Sequence, residues 1–300
     1  MGVQLSTASF YDSNARRLSS MSARAQTLQT EIATGKRITT PSQDPAVAQQ
    51  LAELTRKDSD AAAYGANMTL AGSLLTQADG VLGQIATQLQ RARELTTQAA
   101  TGTQNSETRK IIGTELESIV GAIAGLANTR NVRGQPLFGT PDGTPAVVQN
   151  TGGGFTYAPI NVSEVPIADG QSVQATESAA RIFTQADGTD TLKMLSDLAA
   201  ALKDNATDGS AANAALDKIS AATDQVSLVQ ASIGARSARV ELQQSLATTA
   251  NTDRGDLRSK LEDTDVTSAV IELQQLMTAL SATQASFTKL SGLSLFDYLR

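Results

Sequence analysis

Apolar residues spaced alternately three and four apart occupy both ends of this 300-residue chain, and no other feature constrains its fold as much. Leu18, Met21, Ala25, Leu28 and Ile32 form the first such seam. After an interruption, Val47, Leu51 and Leu54 resume it, and Met68, Ala71, Leu75, Ala78, Leu82, Ile85, Leu89 and Ala92 carry it on. A helix over about residues 45–101 would be roughly 85 Å long at about 1.5 Å per residue. Ile112, Leu116, Ile119, Ile123 and Leu126 make a third seam after an Asn105-Ser106 start signal. Leu192, Leu195 and Leu202 mark a short helix. A long one from about Ser210 follows, with Leu216, Ile219, Val226, Val229, Ile233 and Val240 as its apolar positions. Val266, Val270, Leu273, Met277, Leu280, Phe287 and Leu290 form the last seam. The first and last seams can be satisfied by pairing as an antiparallel bundle or by packing on other subunits.

The middle of the chain is different. Five of the seven prolines fall between Pro136 and Pro166, and no Lys or Arg occurs between Arg133 and Arg181. "VSEVPIADGQSVQAT" alternates apolar and polar residues around Asp169-Gly170, a hairpin signal. Phe155, Tyr157 and Ile160 suggest a further strand just before it. The expected fold is mainly α with a small β insert. An elongated antiparallel helical bundle or coiled coil comes from the N- and C-terminal flanks, and the insert is a small β-rich outer domain. The expected divisions are an N-terminal assembly arm at 1–44, bundle segments at 45–134 and 186–262, the β-rich domain at 135–185, and a C-terminal assembly helix at 263–300.

Between the first two helices lies "IATGKRITTPSQDPA". Gly35 ends the first helix by accepting a left-handed conformation. Lys36 and Arg37 suit that helix's negative end. Pro41 blocks continuation, Asp44 caps the next helix, and Pro45 opens it. This is a corner that needs no ligand.

Composition narrows the chemistry. Cys and His are both absent, which removes thiolate nucleophiles, imidazole bases, disulfides and almost every zinc site. "TGGGF" lacks the Lys-Ser/Thr of a phosphate loop. "LEDTDVT" lacks the Gly and distal Glu of a calcium loop, so Asp263 or Asp265 reads as a helix cap. "ADGTDT" reads as a turn with a cap at Asp190. Aromatics make up only 3% of the chain, too few to line a carbohydrate-cleaving cleft. No enzymatic activity and no cofactor or metal is expected. A net charge of −6, with no basic run longer than a pair, argues against nucleic acid. No apolar run nears the ~20 residues of a membrane span, and no cleaved signal segment is evident.

Four separated stretches, in order, resemble the flagellins and flagellin-like hook–filament junction proteins of bacterial flagella. "EIATGKRITTPSQDPAVAQQL" is similar to their N-terminal signature. "GQPLFGT" is similar to the exit from their helical bundle, with Gly139 where the family more usually has Ala. "VQASIGARSARVE" resembles their return helix, and "KLSGLSLFDYLR" resembles the end of the junction proteins in particular. The resemblance covers about two-thirds of the chain. It implies a structural subunit exported largely unfolded through the flagellar type III system and located outside the cell at the hook–filament junction. The implied assembly interface is Leu18, Met21, Leu28, Ile32, Leu273, Met277, Leu280, Phe287, Leu290, Leu295 and Phe296. Implied partners are hook-associated protein 1, flagellin, further copies of the chain, and an export chaperone on the C-terminal helix. Two alternatives remain: a filament-forming flagellin, or a secreted adhesin or carbohydrate-binding protein that uses the β insert.

Overall fold

A computed structural model describes residues 2–38, 40–101, 104–131, 133–140, 142–159, 164–204 and 209–297, without the side chains of 2–8, 10 and 290–297. The described elements run α1 (Gly2–Thr34), α2 (Pro45–Ala100), α3 (Ser106–Ala127), β1 (Val147–Gln149), β2 (Phe155–Tyr157), β3 (Glu164–Ala168), β4 (Gln171–Gln174), α4 (Ala179–Phe183), α5 (Thr191–Lys203), α6 (Ser210–Glu262) and α7 (Val266–Asp297). The chain is mainly α with two small antiparallel sheets. It divides into two compact units, residues 60–249 and residues 1–59 with 250–300.

The unit of residues 60–249 is built on aliphatic periodicity. Leu75, Leu82, Ile85 and Leu89 of α2 are fully buried, as are Ile219, Val226, Val229 and Ile233 of α6. Buried alanines at 71, 78, 92, 99, 212 and 222 separate them, so bulky and small side chains alternate along the core. Leu116 and Ile123 of α3, and Leu192 and Leu195 of α5, complete it.

Asn105 starts α3, its side chain accepting from the Thr108 N–H at 2.8 Å. Asp190 starts α5, accepting from the Lys193 N–H at 3.1 Å. These caps satisfy amide groups that have no partner inside the helix. α3 and α5 then pack so closely at Gly113 that a Cβ there would lie 2.7 Å from the Ala199 carbonyl oxygen and 2.9 Å from Lys203 Cγ.

The β insert consists of two hairpins. β3 pairs with β4 across the Asp169-Gly170 turn, with a register shift between Pro166 and Ala168, and Ile167 points into the core. Pro166, which has no N–H for the ladder, offers its carbonyl to Asn67 of α2 at 2.9 Å. β2 covers Phe155–Tyr157, and Ile160 lies outside the described residues. Its partner β1 and the five-residue α4 carry too few residues for a periodic signal.

Tyr157 stacks on Phe183 with ring centroids 5.9 Å apart. Its hydroxyl donates to the capping carboxylate of Asp190 at 2.7 Å, and burial pushes its pKa well up. Leu137 and Phe138 of "GQPLFGT" are buried. A Cβ at Gly139 would lie 2.8 Å from the Thr144 carbonyl oxygen, which accounts for Gly rather than Ala there in this chain.

Arg236 of α6 secures the end of β4. Its guanidinium donates to the carbonyls of Gln174 and Thr176 at 3.0 and 3.3 Å, and to the Glu177 carboxylate at 2.6 Å. Glu177, 2% exposed at its side chain, also accepts from Arg181 at 3.0 Å.

Two substitutions test this packing by thermal unfolding. Gly113→Ala should destabilise the chain by about 1–3 kcal/mol, because the new methyl forces α3 away from α5. Arg236→Ala should cost about 3 kcal/mol, because it strips a buried carboxylate of its principal partner.

Candidate assembly interface

The unit of residues 1–59 and 250–300 is organised by two helical corners that meet. α1 ends at Gly35, with φ at 71°. Lys36 then forms an isolated antiparallel bridge with Asp263. The Arg37 N–H donates to the Glu262 carbonyl at 2.7 Å, and the Thr264 N–H to the Gly35 carbonyl at 2.9 Å. The Lys36 ammonium is hydrogen-bonded to the Glu262 carboxylate, and the Arg37 guanidinium donates to the Leu261 carbonyl at 3.3 Å. The two cations thus serve the carbonyl end of α6, a more distant negative helix end than that of α1. Pro41 is exposed, and Asp44 accepts from the N–H groups of Ala46 and Val47 at 3.1 Å each, with Pro45 as first residue of α2. At the second corner Asp265 caps α7, accepting from the N–H groups of Thr267 and Ser268.

Beyond the corners, α1 and α7 pack antiparallel. Arg24 grips Glu272 with two hydrogen bonds, Nε to Oε1 at 2.9 Å and Nη2 to Oε2 at 3.1 Å. Tyr11 meets Phe287 edge to face at 5.4 Å. On α1 the covered positions step through Tyr11, Asn14, Leu18, Met21, Ala25, Leu28 and Ile32, a regular heptad seam. On α7 they are Ala269, Leu273, Leu276, Leu280, Thr283 and Phe287.

The anticipated interface residues therefore differ in environment. Leu28 is buried within the chain, while Leu18, Met21, Ile32, Leu273, Leu280 and Phe287 are half-buried. Met277 is 54% exposed. The side chains of Leu290, Leu295 and Phe296 lie outside the described residues. α7 thus has a second stripe, Val266, Val270 and Met277 with Ile271 beside it, that no described residue of the unit covers. The only charged residue between Asp265 and Lys289 is Glu272, already engaged by Arg24.

Periodicity missed the polar contacts that hold this unit. Glu31 is 7% exposed, with Arg24 Nη1 3.4 Å from its carboxylate. Asp58 of α2 lies between two arginines of α6, with Arg254 Nε at 2.9 Å and Arg258 Nη2 at 2.7 Å. Hydrogen bonds from Arg254 and then Arg258 hold the Asp58 carboxyl below the usual range. The hydrogen bond from Arg24 does the same for Glu272. The one sequence signal for Glu272 was its isolation in an uncharged helix. Among the described residues, no cluster of three acidic side chains could hold a metal ion, and no helix is long and apolar enough to cross a membrane.

A lowered carboxylate pKa stabilises the fold at neutral pH, and that contribution fades as pH falls through the lowered folded value. The protection of amides in α1 and α7, measured as exchange relative to the intrinsic rate at each pH, should therefore fall between about pH 5 and pH 3, the range where carboxylates protonate. In Glu272→Gln the acid dependence should flatten and exchange at pH 7 should already be faster than in the parent.

The family model for the bacterial flagellin N-terminal helical region matches residues 5–141. Flagellar hook-associated protein 3 of Salmonella typhimurium is 26% identical over 99% of this chain and 100% of its own length. A flagellar hook-associated protein from Vibrio parahaemolyticus has the same fold, with a TM-score of 0.68 at 22% identity over 74% of this chain and all of that one. The flagellar junction protein FlgL from Legionella pneumophila aligns with a TM-score of 0.58 at 15% identity, over 73% and 100% of the two chains. The order of the motifs, the paired terminal helices and a match along the full length of a relative agree: residues 5–141 match the bacterial flagellin N-terminal helical region, and the chain as a whole is similar to flagellar hook-associated protein 3.

Proposed function

We propose that this chain is a structural subunit of the bacterial flagellum that joins the hook to the flagellin filament. The observation that carries the reading is the second stripe of α7. Val266, Val270 and Met277 form an exposed, uncharged face beside the covered α1–α7 seam. An apolar helix face of that kind, free of charges that would need solvation, suits burial against a neighbouring subunit. Residues 1–44 and 263–300 then act as assembly arms, with Leu18, Met21, Ile32, Leu273, Leu280 and Phe287 at the margin of the contact. Residues 45–134 and 186–262 form the body, and 135–185 an outward-facing domain. The rigid corner at Gly35, Lys36 and Arg37, bonded to the α6–α7 corner, fixes the direction in which α1 leaves.

The partners in this reading are hook-associated protein 1 on one side, flagellin on the other, and further copies of the chain. A dedicated chaperone would cover the C-terminal helix before export through the flagellar type III system. The role is mechanical and not enzymatic. A chain without Cys and with few aromatics is suited to threading through a narrow channel.

Deleting the gene should leave free hooks on the cell and filaments shed into the medium, both visible by electron microscopy. Filaments still attached to hooks would overturn the reading. Self-polymerisation of the purified chain into long filaments would favour a flagellin. Met277→Asp should leave the monomer's unfolding within about 0.5 kcal/mol of the parent, since the side chain is exposed. It should nonetheless reduce filament attachment severely in cells.

A further inference from the structure

The sequence contains five Asp-Gly pairs, and the fold treats them differently. Such a pair is open to a slow reaction of its own. The glycine amide nitrogen attacks the aspartate Cγ, because glycine has no side chain to obstruct the approach. Both reacting groups must be free. Hydrogen bonds to a carboxylate hold it away from the neutral form that the nitrogen attacks, and an amide bonded to a carbonyl is held away from the attack.

Three of the pairs are secured in this way. Asp79-Gly80 lies inside α2, where the Gly80 amide belongs to the helical ladder, and the Asp79 carboxylate accepts from Gln230 at 3.4 Å. The Asp142 carboxylate accepts from the Thr140 hydroxyl and, at 3.0 Å, from the Thr144 N–H, while the Gly143 N–H donates to the Thr140 carbonyl at 3.2 Å. Asp187 accepts from the N–H and the hydroxyl of Thr189, both at 2.9 Å. The Gly188 N–H donates to the Gln185 carbonyl at 3.0 Å. The Thr140 hydroxyl and the Thr189 amide are the leading causes that hold these two carboxyls below the usual carboxylate range. In the pair Asp208-Gly209, Asp208 lies outside the described residues.

Asp169-Gly170 differs at both reacting atoms. It makes the turn between β3 and β4, and both residues are exposed. Among the described residues, nothing donates to the Asp169 carboxylate, and the Gly170 N–H donates to no carbonyl. Gly170 has φ at 63°, and a Cβ there would meet no atom within 4 Å. The Asp169 side chain therefore has room to close onto the amide. The strands on either side are held without the turn. Ile167 and Val173 are buried, the Pro166 carbonyl accepts from Asn67 at 2.9 Å, and the Gln174 carbonyl accepts from Arg236 at 3.0 Å.

We propose that Asp169 is a site of spontaneous backbone isomerisation, at which the folded chain converts aspartate to isoaspartate. The Gly170 nitrogen bonds to Asp169 Cγ, the carboxyl hydroxyl leaves with the amide proton as water, and a cyclic succinimide closes. Water then opens the ring. Breaking the bond from nitrogen to Cγ restores aspartate, and breaking the bond from nitrogen to the Asp169 backbone carbonyl carbon gives isoaspartate. One water leaves and one enters, so no oxidant, reductant or enzyme takes part. In the product the main chain runs through Cβ and Cγ and is longer by one methylene. That opens the tight turn, while Asn67 and Arg236 keep the strands in place, so the modified chain stays folded. The chemistry needs no partner and stands apart from the junction reading.

The test uses the purified full-length chain, aged in solution at neutral pH and then digested for peptide mapping. Isoaspartate is recognised by resistance to an aspartate-specific endoprotease and by electron-transfer fragmentation. At position 169 it should exceed that at 79, 142 and 187 by about tenfold or more, the factor that one hydrogen bond to a charged group is worth. A parallel sample in concentrated urea should isomerise at all these pairs at similar rates, because the protection belongs to the fold. Asp169→Glu keeps the charge but can close only a larger, slower ring, so it should abolish the product at 169 and leave the other pairs unchanged. Equal isomerisation at 142, 169 and 187 in the folded chain would overturn the proposal. So would isoaspartate at 169 found only in an unfolded fraction separated by size, or none at 169 by the time the urea sample has converted.

Discussion

The antiparallel pairing of the first and last helices organises the unit of residues 1–59 and 250–300. It joins the two ends of the sequence through aliphatic side chains alone at most positions, because the chain has no disulfide and only ten Phe and Tyr residues in total. Heptad aliphatic packing is adhesive but repetitive, and a shift by one repeat would bury much the same area. The polar contacts supply what the leucines lack. Arg24 grips Glu272 at one level, and the Gly35–Arg37 corner is bonded to Leu261–Thr264 at another. Two fixed points along α1 and α7 leave one register.

The same economy runs through residues 60–249. Buried alanines let α2 and α6 approach, and Gly113 lets α3 lie against the backbone of α5. Polar side chains are buried mainly where they fasten one element to another. Arg236 holds β4 through Glu177, and Asp190 serves both the Lys193 amide and the Tyr157 hydroxyl. Charge is withheld from faces as deliberately as it is spent on joints. The open stripe of α7, Val266, Val270 and Met277, carries none, although it is exposed in the single chain.

Most of the fold was legible from side-chain spacing. The bounds of α2, α3, α5, α6 and α7 follow from apolar periodicity together with the caps at Asp44, Asn105, Asp190 and Asp265, and the β3–β4 hairpin from its alternation around Asp169-Gly170. β1 and α4 were not legible, because three and five residues are too short for either period to declare itself. The candidate interface was legible as a set of helices but not as a set of partners. Lys36 and Arg37 have a sufficient local explanation at the end of α1, and only the fold brings the end of α6 within their reach.

By itself, the sequence determined that both ends are helices with aliphatic seams, that a corner separates α1 from α2, and that the chemistry of thiols and imidazoles is absent. It could not choose between two overlapping heptads on α7, since Leu273, Leu280 and Phe287 belong to both. Only the tertiary structure decided that Ala269, Leu276 and Thr283 turn toward α1 while Val266, Val270 and Met277 stay open. The physical reason is that periodicity fixes a helix and the width of its apolar arc, whereas rotation about the helix axis is set by distant groups. Here those groups are Arg24 at Glu272 and the bonded corners, which bring together residues more than two hundred positions apart in the chain.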